Sequence, residues 1–160
     1  MRRYFTKDVL LDERETISSI KQWSYPLQKK ADLQPLFDRI GNAGIVMLGE
    51  ASHGTHEYYT WRTHISKKLI EEKGFNFIAV EGDWPDCYRL NRFVKGYDTD
   101  NKSAFKVLHA FNRWPTWMWA NWEIVALGDW LQKYNKGRAA DKKAGFYGLD
   151  LYSLSSSIEA

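Results

Sequence analysis

Gly44-Ile-Val-Met-Leu-Gly-Glu-Ala-Ser-His-Gly-Thr-His56 is the stretch on which the fold reading turns. Ile45–Leu48 is a short, unbroken apolar run, the pattern of a strand covered on both faces in a parallel sheet. Gly49 breaks it, and Glu50 and His53 follow in a small-residue turn closed by Gly54. A helical pattern begins at once. Strand, tight polar turn and helix is the layout with which α/β proteins aim side chains into a cleft at the carboxyl edge of a sheet.

Upstream, Asp32 stands as a cap for a helix over Leu33–Ile40, whose apolar residues Leu33, Leu36, Phe37 and Ile40 are spaced three and four apart. Residues 1–31 read as a lead-in arm packed on the domain, with one short helical pattern from Glu15 to Trp23 ended by Pro26. Downstream, Thr55 caps a helix to about Lys73, with Trp61, Ile65 and Leu69 as its inward stripe. Phe75–Val80 is a second apolar strand, ending in the carboxylate-rich turn Glu81-Gly-Asp-Trp-Pro85. Helices follow at about Asp86–Lys95, Ser103–Phe111 and Asn121–Asn135. Gly145–Leu149 is a third strand, with Asp150 immediately after it.

Helices between successive strands imply an α/β fold: a parallel β-sheet core with helices on its faces. The expected division is an arm over 1–31 and one α/β domain over 32–160. Three strands make an incomplete sheet with an exposed edge. Ser155-Ser-Ser157 reads as the start of a further helix. Both features predict the front part of a longer protein, or completion by another chain, with the uncovered edge as a route to self-association.

At 160 residues, with 44% hydrophobic and 16% aromatic content, the chain can bury a real core. The net charge is only +3, with basic and acidic residues interspersed, so no nucleic-acid partner is expected. A single cysteine, Cys87, precludes an internal disulfide and reads as a small core residue. No signal-peptide pattern or run of about 20 apolar residues occurs, so the expectation is a cytoplasmic protein without a membrane partner.

In a parallel sheet all strand carboxyl ends lie on one edge. Each strand here ends in an acid: Glu50, Glu81 and Asp150. His53 shares the turn of Glu50, Asp83 shares that of Glu81, and Arg62 lies two helical turns on. This constellation predicts hydrolysis with His53 as general base, because imidazole titrates near neutral pH. Glu50 or Glu81 orients the ring, and Arg62 neutralises the acids or holds an anionic group of the substrate. Each residue also has a structural reading. His53 and Asp150 can cap the segments that follow them, Glu50 can accept turn N–H groups, and Arg62 can be an ordinary ion pair. His53 and His56 with the three acids can instead ligate a divalent metal, and a non-catalytic small-molecule-binding fragment is a third reading. His56 otherwise reads as a surface residue, and His64 and His109 as structural. Gly-x-Ser-x-Gly is absent, which disfavours a serine esterase. Trp114, Trp117, Trp119 and Trp122 either pack on the sheet or line a bulky apolar ligand.

Gly49-Glu-Ala-Ser-His-Gly54, Arg62, Glu-Glu-Lys-Gly-Phe75, Val-Glu-Gly-Asp-Trp84, Trp130–Asn135 and Tyr147-Gly-Leu-Asp150 resemble, in that order, the erythromycin esterase family. The resemblance runs from about Asp32 to the end. It implies an α/β core and hydrolysis of an ester or macrolactone substrate without metal or other cofactor, and in some members macrolide antibiotic resistance. It places the water-activating base on His53, with Glu50, Glu81 and Arg62 as the other active-site positions. Family members are much longer than this chain, and a second active-site histidine lies in the part beyond it.

Overall fold

A computed structural model describes residues 7–100, 103–150 and 158. The chain divides into two compact units, Met1–Ala43 and Gly44–Ala160. The proposed helix start at Ser155–Ser157 lies outside the described residues.

In the first unit, helix α1 spans Lys7–Trp23, longer than the pattern around Glu15 suggested. A 3-10 turn, Lys30–Leu33, leads directly into α2, Gln34–Ile40. Asp32 acts one turn earlier than expected. Its carboxylate accepts the N–H groups of Gln28 and Lys29 at 2.9 and 3.0 Å, closing the turn before the helix. Those two donors hold its carboxyl below the usual carboxylate range.

The second unit begins with the motif segment and continues as α3 (His56–Lys73), β1 (Phe77–Val80), α4 (Trp84–Val94), α5 (Ala104–His109), α6 (Thr116–Trp119), α7 (Trp122–Asn135) and β2 (Gly145–Gly148). The two strands pair in parallel, Phe77 opposite Gly145 and Val80 opposite Gly148. Antiparallel pairing is ruled out by the helical crossover between them, which returns the chain to the same end of the sheet. Beyond the strands the bonding continues: Leu149 N–H donates to Val80 O at 2.8 Å and Asp150 N–H to Gly82 O at 2.9 Å. The two carboxyl ends are thereby tied together.

The core lies between this small sheet and α4, α5 and α7. Leu90, Phe93, Val94, Leu131 and Phe146 are fully buried in it. Gly128 of α7 lets the helices approach: a Cβ there would lie 2.8 Å from the Ala104 Cβ and 3.2 Å from a Leu90 methyl. Buried Asn135 ends α7 by staple-like bonding. Its amide donates to Val94 O and Ala144 O, both at 2.8 Å, and accepts Ala144 N–H at 2.7 Å. Asn91 of α4 similarly accepts the Phe146 N–H at 3.1 Å, satisfying a donor on the β2 edge away from β1. Both buried amide side chains thus spend their hydrogen-bonding capacity on main-chain groups, as burial demands.

One expected strand does not form. Ile45–Leu48 joins no ladder among the described residues, and Ile45 and Met47 are 81% and 90% exposed. A continuous apolar run says that both faces call for cover. It does not supply the neighbouring strand or the covering helix, and in this unit neither lies over those two side chains. The sheet therefore has two strands. The inward side of α3 also differs from the expected Trp61–Ile65–Leu69 stripe. Tyr59, Thr63, Ser66, Leu69 and Ile70 are buried, while Trp61 and Ile65 are half-buried. No described helix is long and apolar enough to cross a membrane.

Candidate active site

The turn after Gly49 carries the centre of the site. Ser52 and Thr55 hydroxyls lie 3.1 Å apart across it, and α3 starts at once. Glu50 and His53 are three residues apart in this turn, close enough for their side chains to meet. The Glu50 carboxylate bridges two nitrogen donors. Its Oε1 lies 2.7 Å from His53 Nδ1 and its Oε2 2.6 Å from Arg62 Nη1. Ionised carboxylates only accept, so His53 donates from Nδ1 and its Nε2 carries the lone pair. The Glu50 side chain is 10% exposed while that of His53 is 41% exposed. The acid is sheltered and the imidazole faces outward, available to a reacting group.

Arg62 sits on α3 one turn after Tyr59, and its guanidinium lies in the corner formed by two aromatic rings set edge to face, 74° apart in plane. Its Cζ is 4.5 Å from the Tyr59 ring centroid and 4.8 Å from that of Trp119. Contact of a cation with two ring faces restricts where the guanidinium can sit. Burial and the negative charge of Glu50 push the Tyr59 phenol above its ordinary titration. Trp117 stands edge-on to His53, with ring centroids 6.3 Å apart. The same ring closes on Gly54, whose φ of +80° no branched residue adopts without strain.

Glu81 ends β1 at the same edge. Its carbonyl accepts the Trp119 indole N–H at 2.8 Å. Asp83 caps α4, accepting the Asp86 N–H at 3.3 Å, and takes Arg113 Nε at 2.7 Å. Asp86, absent from the sequence reading, is fully buried and accepts the N–H groups of Asn112 and Arg113 at 3.2 and 3.1 Å, with Arg89 Nη1 at 3.2 Å. Burial raises its carboxyl pKa despite these donors. Burial also raises the Cys87 thiol, with Asp83, Asp86 and Asp150 adding to it, to about 12, so it is a core residue and no nucleophile at neutral pH. Asp150 is held beside Gly82 by its backbone bond, in a left-handed conformation with φ of 47° that Asp tolerates.

The structure thus joins Glu50, His53 and Arg62 directly, and attaches Glu81 to them through Trp119. Asp83 and Asp150 belong to the neighbouring strand-end turn. His56 is no free surface residue: its Nδ1 pairs with Glu123 Oε1 at the start of α7, and its Nε2 lies 3.4 Å from the Thr60 hydroxyl. Burial works against ionisation of Glu123, but the His56 bond, its own backbone N–H and the His56 charge together lower its pKa. Of the four tryptophans, Trp119 is buried against Tyr59 and Phe146, whereas Trp114, Trp117 and Trp122 are exposed. Packing against the sheet thus holds for Trp119, while Trp122 stacks on Phe105 with ring centroids 5.2 Å apart. The residues that sequence reasoning missed, Asp86, Arg113 and Glu123, bond across 26 to 67 positions of sequence, and the bond of Trp119 to Glu81 spans 38. No local spacing announces such contacts. Among the described residues, no three His, Cys, Asp or Glu side chains converge on a point that could hold a metal ion.

The described unit is therefore a parallel α/β fold with a carboxylate-held, exposed imidazole in the turn before α3. The comparisons carry this further. The chain belongs to the erythromycin esterase family, whose family model matches residues 70–160. That span holds Glu81, Asp83, the tryptophan-rich segment and Asp150, while Glu50, His53 and Arg62 precede it. The chain is 30% identical over 128 residues to an erythromycin esterase type II of Escherichia coli, covering 80% of this chain and 28% of that protein. Among solved structures, one described as a succinoglycan biosynthesis protein superposes with a TM-score of 0.70 at 32% identity, covering 86% of this chain and 34% of that one. A Bacillus cereus protein superposes with a TM-score of 0.61 at 31% identity, over 79% and 29%. The chain thus spans about a third or less of the length of these relatives.

Proposed function

We propose that this chain carries the base half of a hydrolase site that cleaves an ester or macrolactone with water activated by His53. The observation that carries the reading is the double bridge of Glu50, one carboxylate oxygen on His53 Nδ1 and the other on Arg62 Nη1. With Nδ1–H held by Glu50, the His53 Nε2 lone pair takes a proton from water as the oxygen attacks the ester carbonyl. The imidazolium so formed is stabilised by the Glu50 charge. It then returns the proton to the departing alkoxide as the carbon–oxygen bond breaks, leaving an acid and an alcohol. Arg62 aims the Glu50 carboxylate through their 2.6 Å ion pair, and Glu81, which follows β1, acts on the same reacting centre. The exposed face of Trp117 beside His53 suits an apolar substrate such as a macrolide ring. The E. coli relative's name, an erythromycin esterase, supports this substrate class, and resistance to a macrolide is the cellular consequence we propose.

The test is product formation by mass spectrometry with macrolactones and simple esters, using the chain alone and the chain joined to the C-terminal part of a family relative. Addition of one water to the substrate, lost in His53→Ala, is the expected result. Undiminished turnover in His53→Ala removes the assignment.

A further inference from the structure

We propose that Trp119 is a positioning residue for the His53 base, acting through Arg62 and Glu50. The inference rests on the reading of His53 given above, and it adds how the two halves of the site are kept in register. Arg62 reaches Glu50 with Nη1, so the place of Nη1 decides where the carboxylate sits and hence which way His53 is turned. Of the two rings that form the corner holding the guanidinium, Tyr59 belongs to α3 together with Arg62 and carries no information from the sheet. Trp119, set edge to face with it, comes from a different part of the chain.

That ring is fixed to the end of β1. Its indole N–H donates to Glu81 O, 38 positions away, and a Cβ on Gly82 would lie only 3.0 Å from the ring. The glycine at 82 is what allows the indole to lie so close to the strand-end turn. The segment bearing Trp119 is itself fastened at both ends. Asn112 and Arg113 N–H groups are held by Asp86, Arg113 Nε by Asp83, and Glu123 by His56. Trp119 therefore transmits the position of the Glu81 turn to Arg62, from Arg62 to Glu50, and from Glu50 to the imidazole. A residue that merely filled the core would need the volume of the ring. It would need neither the directed N–H bond nor the stacking on a cation.

The imidazole tautomer of His53 reports this relay without any turnover, so the proposal and the hydrolase reading fail separately. Nitrogen–proton correlation spectra at pH 8, with His53 assigned from a His53→Gln variant, are expected to show the Nδ1–H form in the parent chain. Trp119→Phe keeps a ring over Arg62 but loses the indole N–H. Trp119→Leu loses both. The Nδ1–H population is expected to fall stepwise from parent to Phe to Leu, as the two ring-nitrogen shifts converge toward the mixture of free imidazole in water. Met118→Val, a loss of packing at the buried neighbour, is expected to lower the melting temperature and leave the His53 spectrum unchanged. A parent-like His53 spectrum in both Trp119 variants overturns the proposal, and so does an equal disturbance in Met118→Val. Where Trp119→Leu does not fold, Trp119→Phe decides alone, and an unchanged spectrum there overturns it.

Discussion

Two acid clusters lie in the same unit of this chain, and they spend their carboxylates differently. Glu50 accepts from side chains only: an outward-facing histidine and an arginine set against two aromatic rings. Asp86 is fully buried and accepts two backbone N–H groups, while Asp83 caps a helix and pairs with Arg113. An acid whose partners are main-chain donors fixes the path of the chain. An acid whose partner is an exposed, titratable ring can take part in moving a proton. The difference lies in the partners, since both clusters combine carboxylates with an arginine.

The sharpest way to break this comparison is to neutralise Glu50. Glu50→Gln keeps an acceptor for Nδ1 but removes the charge that stabilises the imidazolium. A loss in kcat on the order of 10²- to 10⁴-fold with an unchanged thermal unfolding curve is expected, the range of a disabled general base. Equal losses of activity and stability would place Glu50 with the structural cluster instead.

Asp86→Ala probes the other side. It leaves the Asn112 and Arg113 N–H groups buried without their acceptor, which should cost about 2–4 kcal/mol in denaturant unfolding. A change within about 0.5 kcal/mol would mean that the cluster does not hold the chain. Asp86 also gives stability a pH signature. Burial raises its carboxyl above the ordinary value of 3.8, so the folded state binds that proton more tightly than the unfolded state. The stability due to this group is therefore present at low pH, is lost as pH rises from about 3.8 through the folded value, and is flat above it. Asp86→Asn cannot titrate. Unfolding free energy measured against pH should be less steep in that window for the variant than for the parent chain, and parallel curves would contradict the assignment.

The smallest effect is expected at the second histidine–glutamate pair. His56 is two-thirds exposed, so its bond to Glu123 is screened by water. His56→Ala should change stability by less than about 1 kcal/mol and leave a small rise in the Glu123 carboxyl pKa, readable by carbon NMR. A loss of several kcal/mol would show that this pair, like the Asp86 cluster, is structural in the full sense.

What could be read in the sequence followed the range of the forces involved. Glu50 and His53 are three positions apart and Arg62 follows within two helical turns, so the strand–turn–helix pattern brought them together before any coordinates did. The longer helices of the second unit and both strands that form were legible from apolar periodicity and from glycines at their ends, because those signals are local, whereas the short α6 and the first turns of α1 were not. Ile45–Leu48 misled because an apolar run records a demand for cover, and ladder partners are not written in the run itself. The tryptophans misled in another way. Ring count gives buried area, but only tertiary contacts separate Trp119, stacked on Arg62, from exposed Trp117 and Trp122. Asp86 and Arg113 sit in ordinary helical and loop contexts, and nothing within a turn of either names its partner.

The measurement that bears most directly on the central claim is turnover of a macrolactone or simple ester by His53→Ala against Asp83→Asn, in the chain joined to the C-terminal part of a family relative. The account predicts that His53→Ala abolishes the addition of water while retaining the parent melting temperature, and that Asp83→Asn lowers the melting temperature while retaining turnover by the molecules still folded. Hydrolysis that survives in His53→Ala at the parent rate would contradict it.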